Sequence, residues 1–181
     1  MRYFIAHLLV KDIMEWHGDV VKDISEKCGI ANLHESRPPH ITIVPPFETE
    51  NIRLVADVLK DFAQGRDIPG NFTISDFGRF DDRVVYADGE ADERARAAAE
   101  EIRERMKEIP LTTKGESYEW HPHVTLANHL SPAELERIEE YVQTLPKPNF
   151  VLPFDRVTVL RLDDGGWVPD MTFCFGGVTC D

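Results

Sequence analysis

The chain has 181 residues, of which 42% are hydrophobic, and it carries a formal net charge of −13. This length fits one domain, or two small lobes that share a core. No segment approaches the roughly 18 consecutive apolar residues of a membrane span, so we expect no membrane association. Because an acidic protein gains little from counterion release, binding along a long duplex nucleic acid is not expected, whereas a small phosphorylated ligand or a nucleic-acid end is compatible with this charge.

The cysteines and the N-terminal residues indicate the cellular compartment of the protein. Cys28, Cys174 and Cys180 form an odd number without the spacing of a metal site, which favours reduced thiols. The apolar run at the N-terminus is short and is broken by His7, so we expect no signal peptide. Together these features predict a cytoplasmic protein, and we expect it to be a monomer.

Hydrophobic periodicity and turn residues predict an alternation of strands and helices. Pro45 and Pro46 are expected to end the second strand, since proline cannot donate a ladder hydrogen bond. Ser131 and Glu134 match a capping box at the start of the last helix. In chain order, the predicted elements are strand 3–10, helix 12–29, strand 40–44, helix 52–62, strands 72–80 and 84–88, helix 91–109, strand 121–127, helix 132–145, and strands 150–162 and 168–175.

One tetrapeptide pattern, His-x-Thr followed by an apolar residue, occurs twice and each time follows a proline. The first copy contains His40 and Thr42, and the second contains His123 and Thr125. Side chains alternate between the two faces of a strand, so the histidine and the threonine of each copy share one face. The apolar residues between and after them point the other way, into a core.

The two motifs belong to a longer internal repeat, since His40 and His123 are 83 positions apart. The same shift carries every apolar position of one predicted helix stripe onto an apolar position of another. Two related strand–helix–strand lobes are therefore predicted, with a pseudo-twofold axis that brings the motif strands to equivalent places beside one cleft. The matched positions are Ile52 and Leu135, Val55 and Ile138, Val58 and Tyr141, Leu59 and Val142, and Phe62 and Leu145.

Two histidines and two threonines are suited to chemistry on a phosphate group. A neutral imidazole can remove a proton from an attacking water, while a protonated one donates to the leaving oxygen. Threonine hydroxyls can donate to the non-bridging oxygens, where negative charge develops. The nearest carboxylates in the sequence, Glu48 and Asp76, lie beyond the first motif strand, so neither a metal nor another cofactor is predicted.

With these motifs the chain resembles the 2H phosphoesterase superfamily, which includes 2′,5′ RNA ligase-like proteins and 2′,3′-cyclic phosphodiesterases. The segments carrying the resemblance are Pro-Pro-His-Ile-Thr-Ile at 38–43 and His-Pro-His-Val-Thr-Leu-Ala at 121–127. The resemblance covers nearly the whole chain. It implies an α+β fold, in which two pseudo-symmetric lobes of antiparallel strands and helices surround a central cleft, as a single domain over residues 1–181. It also implies that His40 and His123 are the catalytic acid/base pair and that Thr42 and Thr125 bind the phosphate.

Other side chains near the motifs are candidates for lining the cleft. Basic ones could pair with phosphate, and aromatic ones could stack on a base, although surface solvation and packing between lobes explain them as well. His121 and His123 could also form half of a metal pair, but no third ligand is spaced nearby. The candidates are Arg37, Phe47, Lys114, Tyr118, Trp120 and His121.

The sequence thus predicts a metal-independent phosphodiesterase that hydrolyses a cyclic phosphate, in particular a 2′,3′-cyclic phosphate of a nucleotide or RNA end. One alternative is an RNA end ligase of the 2′,5′ type. Asn128 follows the second motif where ligase-type members often have a basic residue, which argues against ligation. A non-catalytic module that binds phosphorylated ligands and a metal-dependent hydrolase are further alternatives. Which histidine is the acid and which the base stays open at this level.

Overall fold

The computed structural model describes residues 1–30, 37–80, 83–113 and 119–176. These ranges contain four helices and nine strands. The helices are α1 (Asp12–Cys28), α2 (Ile52–Ala63), α3 (Glu93–Lys107) and α4 (Pro132–Val142). The strands are β1 (Arg2–Leu8), β2 (His40–Glu48), β3 (Asn71–Phe80), β4 (Val84–Ala91), β5 (Thr112–Thr113), β6 (His123–Ala127), β7 (Phe150–Pro153), β8 (Arg156–Asp163) and β9 (Gly166–Cys174).

All described strands join one sheet in the order β7-β3-β4-β6-β2-β1-β8-β9, with the short β5 beside β2. Every pairing is antiparallel. The predicted α+β class with antiparallel strands is therefore confirmed.

The sheet is pseudo-symmetric about its central pair of strands, β2 and β6. These strands meet at Ile41 and Val124, which are equivalent positions of the 83-residue repeat. β1 lies outside β2 just as β4 lies outside β6, and each lobe then continues with two further strands. The predicted arrangement of two related lobes is confirmed by this strand order.

The helices tie the two lobes together, because each motif strand is contacted by a helix from the other lobe. α1 contacts β6 and α4, while α3 contacts β2 and α2. The repeated apolar stripe faces the core, where Val55 and Leu59 of α2 are buried like their equivalents Ile138 and Val142 of α4. The predicted capping box is present, with Ser131 N donating to Glu134 Oε2 at 2.8 Å.

Three predicted strand boundaries are wrong. β2 continues through Pro45 and Pro46 to Glu48, because both prolines lie in a gap of the β1–β2 register where no ladder bond is required. The predicted strand 150–162 is divided into β7 and β8. Between them lies Phe154, whose side chain is fully buried in the core. β6 also begins at His123, two residues later than predicted.

The expectation of reduced thiols is only partly met. Cys28 is free and buried, but Cys174 is disulfide-bonded, so the expectation is wrong for Cys174. Among the helices described, none is long and apolar enough to cross a membrane.

Asp92 connects the start of α3 to β3, because its carboxylate accepts from Ala95 N and from Asn71 N, both at 2.8 Å. We expect Asp92→Ala to lower the free energy of unfolding by about 1 kcal/mol, the usual cost of losing an N-cap. Asp92→Asn should retain at least half of that contribution, since its single amide oxygen can still accept the N-cap bond from Ala95 N. Urea unfolding of both variants measures this, and equal losses for the two would contradict the capping role.

Candidate active site

The four motif side chains form one cluster because of the register between β2 and β6. Ile41 pairs with Val124 in an antiparallel ladder, so His40 lies across from Thr125 and Thr42 across from His123. Ile41 and Val124 are 0% exposed and point into the core, which places the other four side chains on the opposite, cleft-facing side. Directly opposite side chains are separated by roughly 4.5–5.5 Å between Cβ atoms.

Both motif histidines are held in the same tautomer by equivalent hydrogen bonds. His40 Nδ1 donates to the carbonyl of Pro38 at 2.7 Å, and His123 Nδ1 donates to the carbonyl of His121 at 2.8 Å. Since a carbonyl only accepts, Nδ1 carries the proton in each neutral ring. This leaves the lone pair of each Nε2 free for proton transfer.

The carbonyls of the motif threonines are also satisfied in equivalent ways. The ladder between β2 and β6 contains only the Ile41–Val124 pair, so carbonyls beyond it need other donors. Thr42 O accepts from Trp120 Nε1 at 2.8 Å, and Thr125 O accepts from His17 Nε2 at 2.9 Å. These bonds fix the backbone of both motif threonines.

Two aromatic candidates for the cleft are corrected by the structure. Trp120 is 7% exposed and packs in the core, where its indole supports the backbone of Thr42. Phe47 is 1% exposed and lies near Tyr3 in the core, with ring centroids 6.1 Å apart. Neither side chain can therefore stack on a ligand. Lys114 and Tyr118 lie outside the described residues.

Two cavities flank the motif cluster, one beside each histidine. The cavity beside His40 has a volume of about 230 Å³, and the cavity beside His123 has about 500 Å³. The two cavities share a wall, which is formed by Arg37, Thr125 and Asn128. In the part of the chain that the structure describes, no carboxylate lines either cavity, although the chain as a whole has a net charge of −13.

Arg37 provides a positive charge at this shared wall. Burial lowers the pKa of its guanidinium, and its charge lowers the pKa values of both His40 and His123, so it lies within electrostatic reach of both rings. Within the described ranges no carboxylate forms an ion pair with Arg37. A guanidinium at this position can pair with an anionic group that enters either cavity.

The surroundings of His40 are apolar. The ring is 6% exposed, lies 4.9 Å from the ring of Phe4, and shares its strand face with Leu8 directly across the β1–β2 ladder. Burial lowers the pKa of His40 to about 3, with smaller contributions from the charges of Arg37 and His123. This imidazole is therefore neutral in the free protein at neutral pH.

The surroundings of His123 are more polar, although burial lowers its pKa too. Asp88 lies directly across the β4–β6 ladder, and its negative charge partly opposes that lowering. The rings of Phe80 and Tyr86 lie 4.7 Å and 5.2 Å from the His123 ring. The two histidines thus occupy equivalent positions with different electrostatics.

His121 and Asp88 form a pair that distinguishes one lobe from the other. His121 Nε2 donates to Asp88 Oδ1 at 2.6 Å, and this contact anchors the residue whose carbonyl holds His123. The equivalent of Asp88 across from His40 is Leu8. Among the residues described, no group of three or more His, Cys, Asp and Glu side chains is arranged to hold a metal ion.

The sequence interpretation missed His17, Asp88, Tyr86, Phe4 and Phe80 as neighbours of the motif cluster. Their positions depend on the pairing of β1 and β4 with the motif strands, and His17 reaches Thr125 from 108 residues away. The repeat was the available signal, because shifting the β1–β2 pairing by 83 residues points to the strand that contains Asp88.

The curled antiparallel sheet, with two equivalent strands at its centre, defines the fold of a 2H phosphoesterase. A sequence model of the 2'-5' RNA ligase superfamily matches residues 16–166, and the chain belongs to that superfamily. Members of the superfamily are phosphodiesterases and ligases, so this chain is an enzyme that acts on phosphodiester bonds.

Solved structures show the same fold over nearly the whole chain. TT0787 of Thermus thermophilus has 21% identity and a TM-score of 0.65, covering 98% of this chain and 99% of its own. E. coli LigT complexed with 3'-AMP has 17% identity and a TM-score of 0.60, covering 96% of each chain. E. coli LigT complexed with NADP+ has 17% identity and a TM-score of 0.57, covering 97% of this chain and 98% of its own. No curated protein sequence matches this chain.

The hydrogen bonds at Nδ1 predict the tautomer of both motif rings. In ring-nitrogen NMR of histidine-labelled protein, His40 should stay neutral and protonated at Nδ1 from about pH 8 down to about pH 5, because its pKa is lowered to about 3. His123 should show the same tautomer when neutral. Assignment of the two resonances uses His40→Gln and His123→Gln, and a His40 ring that is protonated at Nε2, or is cationic at about pH 6, would contradict the geometry.

Proposed function

We propose that this chain is a phosphodiesterase that opens a cyclic phosphate without a metal, in particular a 2′,3′-cyclic phosphate at a nucleotide or RNA end. The observation that carries the proposal is the cross-strand cluster of two histidines and two threonines, with both imidazoles in one tautomer. The cluster joins strands from both lobes, so residues 1–181 are proposed to act as one two-lobed domain. All side chains invoked belong to one chain, as the expected monomer requires.

The phosphate is proposed to bind at the wall shared by the two cavities. There the hydroxyls of Thr42 and Thr125 donate to the non-bridging oxygens, and Arg37 supplies a compensating charge. The absence of carboxylates from the described lining of both cavities supports an anionic ligand. A small nucleotide ligand is also in keeping with the LigT complexes with 3'-AMP and NADP+.

Hydrolysis requires one proton to be removed and one to be supplied. We assign removal to His40, whose Nε2 takes a proton from the attacking water as the new bond from oxygen to phosphorus forms. His123 then donates its Nε2 proton to the departing 3′ oxygen as the bond from phosphorus to that oxygen breaks. The product is a 2′-phosphate monoester, and the two histidines exchange protonation states over one turnover.

The difference between the two lobes supports this assignment. His40 is enclosed by Phe4 and Leu8, so a positive charge on its ring lacks compensation before the reaction. His123 faces the carboxylate of Asp88, which favours its protonated form. His123 is thus the better proton donor.

Ligation of the 2′,5′ type is the second candidate, because it uses the same groups with a 5′ hydroxyl in place of the attacking water and the chain belongs to a superfamily named for it. A ligase should bind RNA ends with an affinity that falls steeply as salt increases. Asn128 contributes no positive charge beside the motif, so hydrolysis is the first choice.

We expect His40→Ala and His123→Ala each to reduce turnover of 2′,3′-cyclic nucleotides by at least about 100-fold, the contribution of a positioned acid or base. The assay contains excess chelator, and circular dichroism confirms that both variants fold. Rates at the wild-type level in both variants would refute the assignment. Tight binding of the cyclic nucleotide without turnover by the wild type would instead identify a binding module, and loss of wild-type activity in chelator would identify a metal-dependent hydrolase.

The assignment of His123 as the acid predicts a specific response to Asp88→Asn. The amide oxygen can still accept from His121, but the negative charge that favours protonated His123 is lost. Because the acid must be protonated, the alkaline limb of the profile of kcat/KM against pH should move to lower pH, with about a 10-fold loss near pH 7 for a shift of one pH unit. The titratable or charged groups around His123 are Asp88, Tyr86, His121, Arg37, Arg83, His129 and His40.

Asp76→Asn is the matched control for this experiment. Asp76 lies across the β3–β4 ladder from Asp88, but its carboxylate accepts from Lys147 Nζ at 2.6 Å. We expect its profile to overlay that of the wild type. A shift of the acidic limb alone in Asp88→Asn would reverse the roles given to His40 and His123.

A further inference from the structure

The cavity beside His123 extends well beyond the four motif side chains. Its volume of about 500 Å³ lies in the range of pockets that hold a small organic ligand, and it is larger than the cavity beside His40. On the side away from His40 it is lined by Phe80, Arg83 and His129. These three residues have no role in the acid–base chemistry proposed above.

Arg83 gives this outer part of the cavity a positive charge of its own. Its side chain is exposed, and within the described residues no carboxylate forms an ion pair with it. Arg79, four residues earlier, shows the usual alternative, because its guanidinium pairs with Glu139 at 3.0 Å. Glu134 lines an adjoining cavity that Arg83 also borders, but its carboxylate already accepts from Ser131 N and Oγ.

A backbone hydrogen bond anchors Arg83 beside this cavity. Leu130 N donates to Arg83 O at 3.2 Å, which ties the start of β4 to the segment after β6. Phe80 lines the same cavity as Arg83, and its ring contacts that of His123 edge-to-face, with centroids 4.7 Å apart. Arg83 lines the cavity beside His123 but not the cavity beside His40, so it lies away from their shared wall, where the phosphate is proposed to bind.

From this arrangement we propose that the outer cavity is a subsite for a second phosphate group of the substrate, held by the guanidinium of Arg83. The inference rests on the proposed function. It makes the preferred substrate a 2′,3′-cyclic nucleotide that carries a further phosphate, and not a cyclic phosphate on a bare nucleoside. That further phosphate is either a terminal 5′-phosphate or the next phosphodiester of an RNA chain. Both present oxygens that a guanidinium can bind with two parallel hydrogen bonds.

Three substrates test the subsite with the full chain. They are adenosine 2′,3′-cyclic phosphate, the same compound with a 5′-phosphate, and a dinucleotide that ends in a 2′,3′-cyclic phosphate. For the wild type we expect kcat/KM to be about 10-fold higher for at least one of the substrates with a second phosphate, the worth of a charge-assisted hydrogen bond. Preference for the second compound identifies a terminal phosphate, and preference for the third alone identifies an RNA chain.

Arg83→Ala should reduce this preference ratio to within about 2-fold of one, because the added charge then has no partner. The matched control Arg79→Ala removes an equal charge that is already paired with Glu139, and it should keep the wild-type ratio. A wild-type ratio near one, or a ratio that survives Arg83→Ala, would overturn the subsite.

Binding measurements separate failure of the subsite from failure of the proposed function. Titration calorimetry with adenosine 3′-phosphate and adenosine 3′,5′-bisphosphate needs no turnover. Tighter binding of the bisphosphate by about 10-fold, lost in Arg83→Ala, supports the subsite even if no cyclic substrate is hydrolysed. Equal binding of the two nucleotides by the wild type, together with no preference for the dinucleotide, refutes it even if cyclic phosphates are hydrolysed.

Discussion

The pairing of Ile41 with Val124 is the constraint on which the rest of the site depends. Both side chains are fully buried, so the hydrophobic core fixes the register of β2 against β6. A slip by one residue would turn the motif histidines and threonines into the core and the apolar residues into the cleft. Core packing and site geometry are thus set by the same contact, which lies on the pseudo-twofold axis between the two lobes.

The symmetry of the backbone places the imidazoles of His40 and His123 in equivalent positions. Differences in the neighbouring strands, β1 and β4, give the two rings different electrostatic surroundings. Across from His40 the neighbouring strand presents Leu8, whereas across from His123 it presents Asp88. The same carbonyl hydrogen bond fixes both rings, so their orientation is shared and only the electrostatic surroundings differ. A duplicated motif can in this way be converted into a proton acceptor and a proton donor without any change in the central strands.

The sequence predicts correctly what depends on local patterns or on the internal repeat, and it fails where a contact depends on the pairing of distant strands. Local periodicity and the 83-residue repeat are sufficient for the helices, the motif strands and the cluster. Asp88 cannot be found locally, since its proximity to His123 arises from strand pairing over 35 positions. The prediction for Phe47 is wrong because it rests on closeness in sequence. The predicted strand ends at position 44, whereas β2 continues to Glu48, and alternation from Thr42 along β2 puts Phe47 on the core face. Trp120 lies just outside β6, where strand alternation gives no rule for its direction.

The electrostatic design explains how a protein with a net charge of −13 can be suited to an anionic substrate. At long range the excess of acidic residues repels polyanions, and solvent ions screen that repulsion beyond about 8 Å at physiological ionic strength. Within the cleft the described lining has no carboxylate, and Arg37 is partly removed from solvent, so its attraction for a phosphate is less screened. Attraction therefore acts only on a group small enough to enter. Under the proposed function, this favours a phosphate at a chain end over the phosphates in the interior of a duplex.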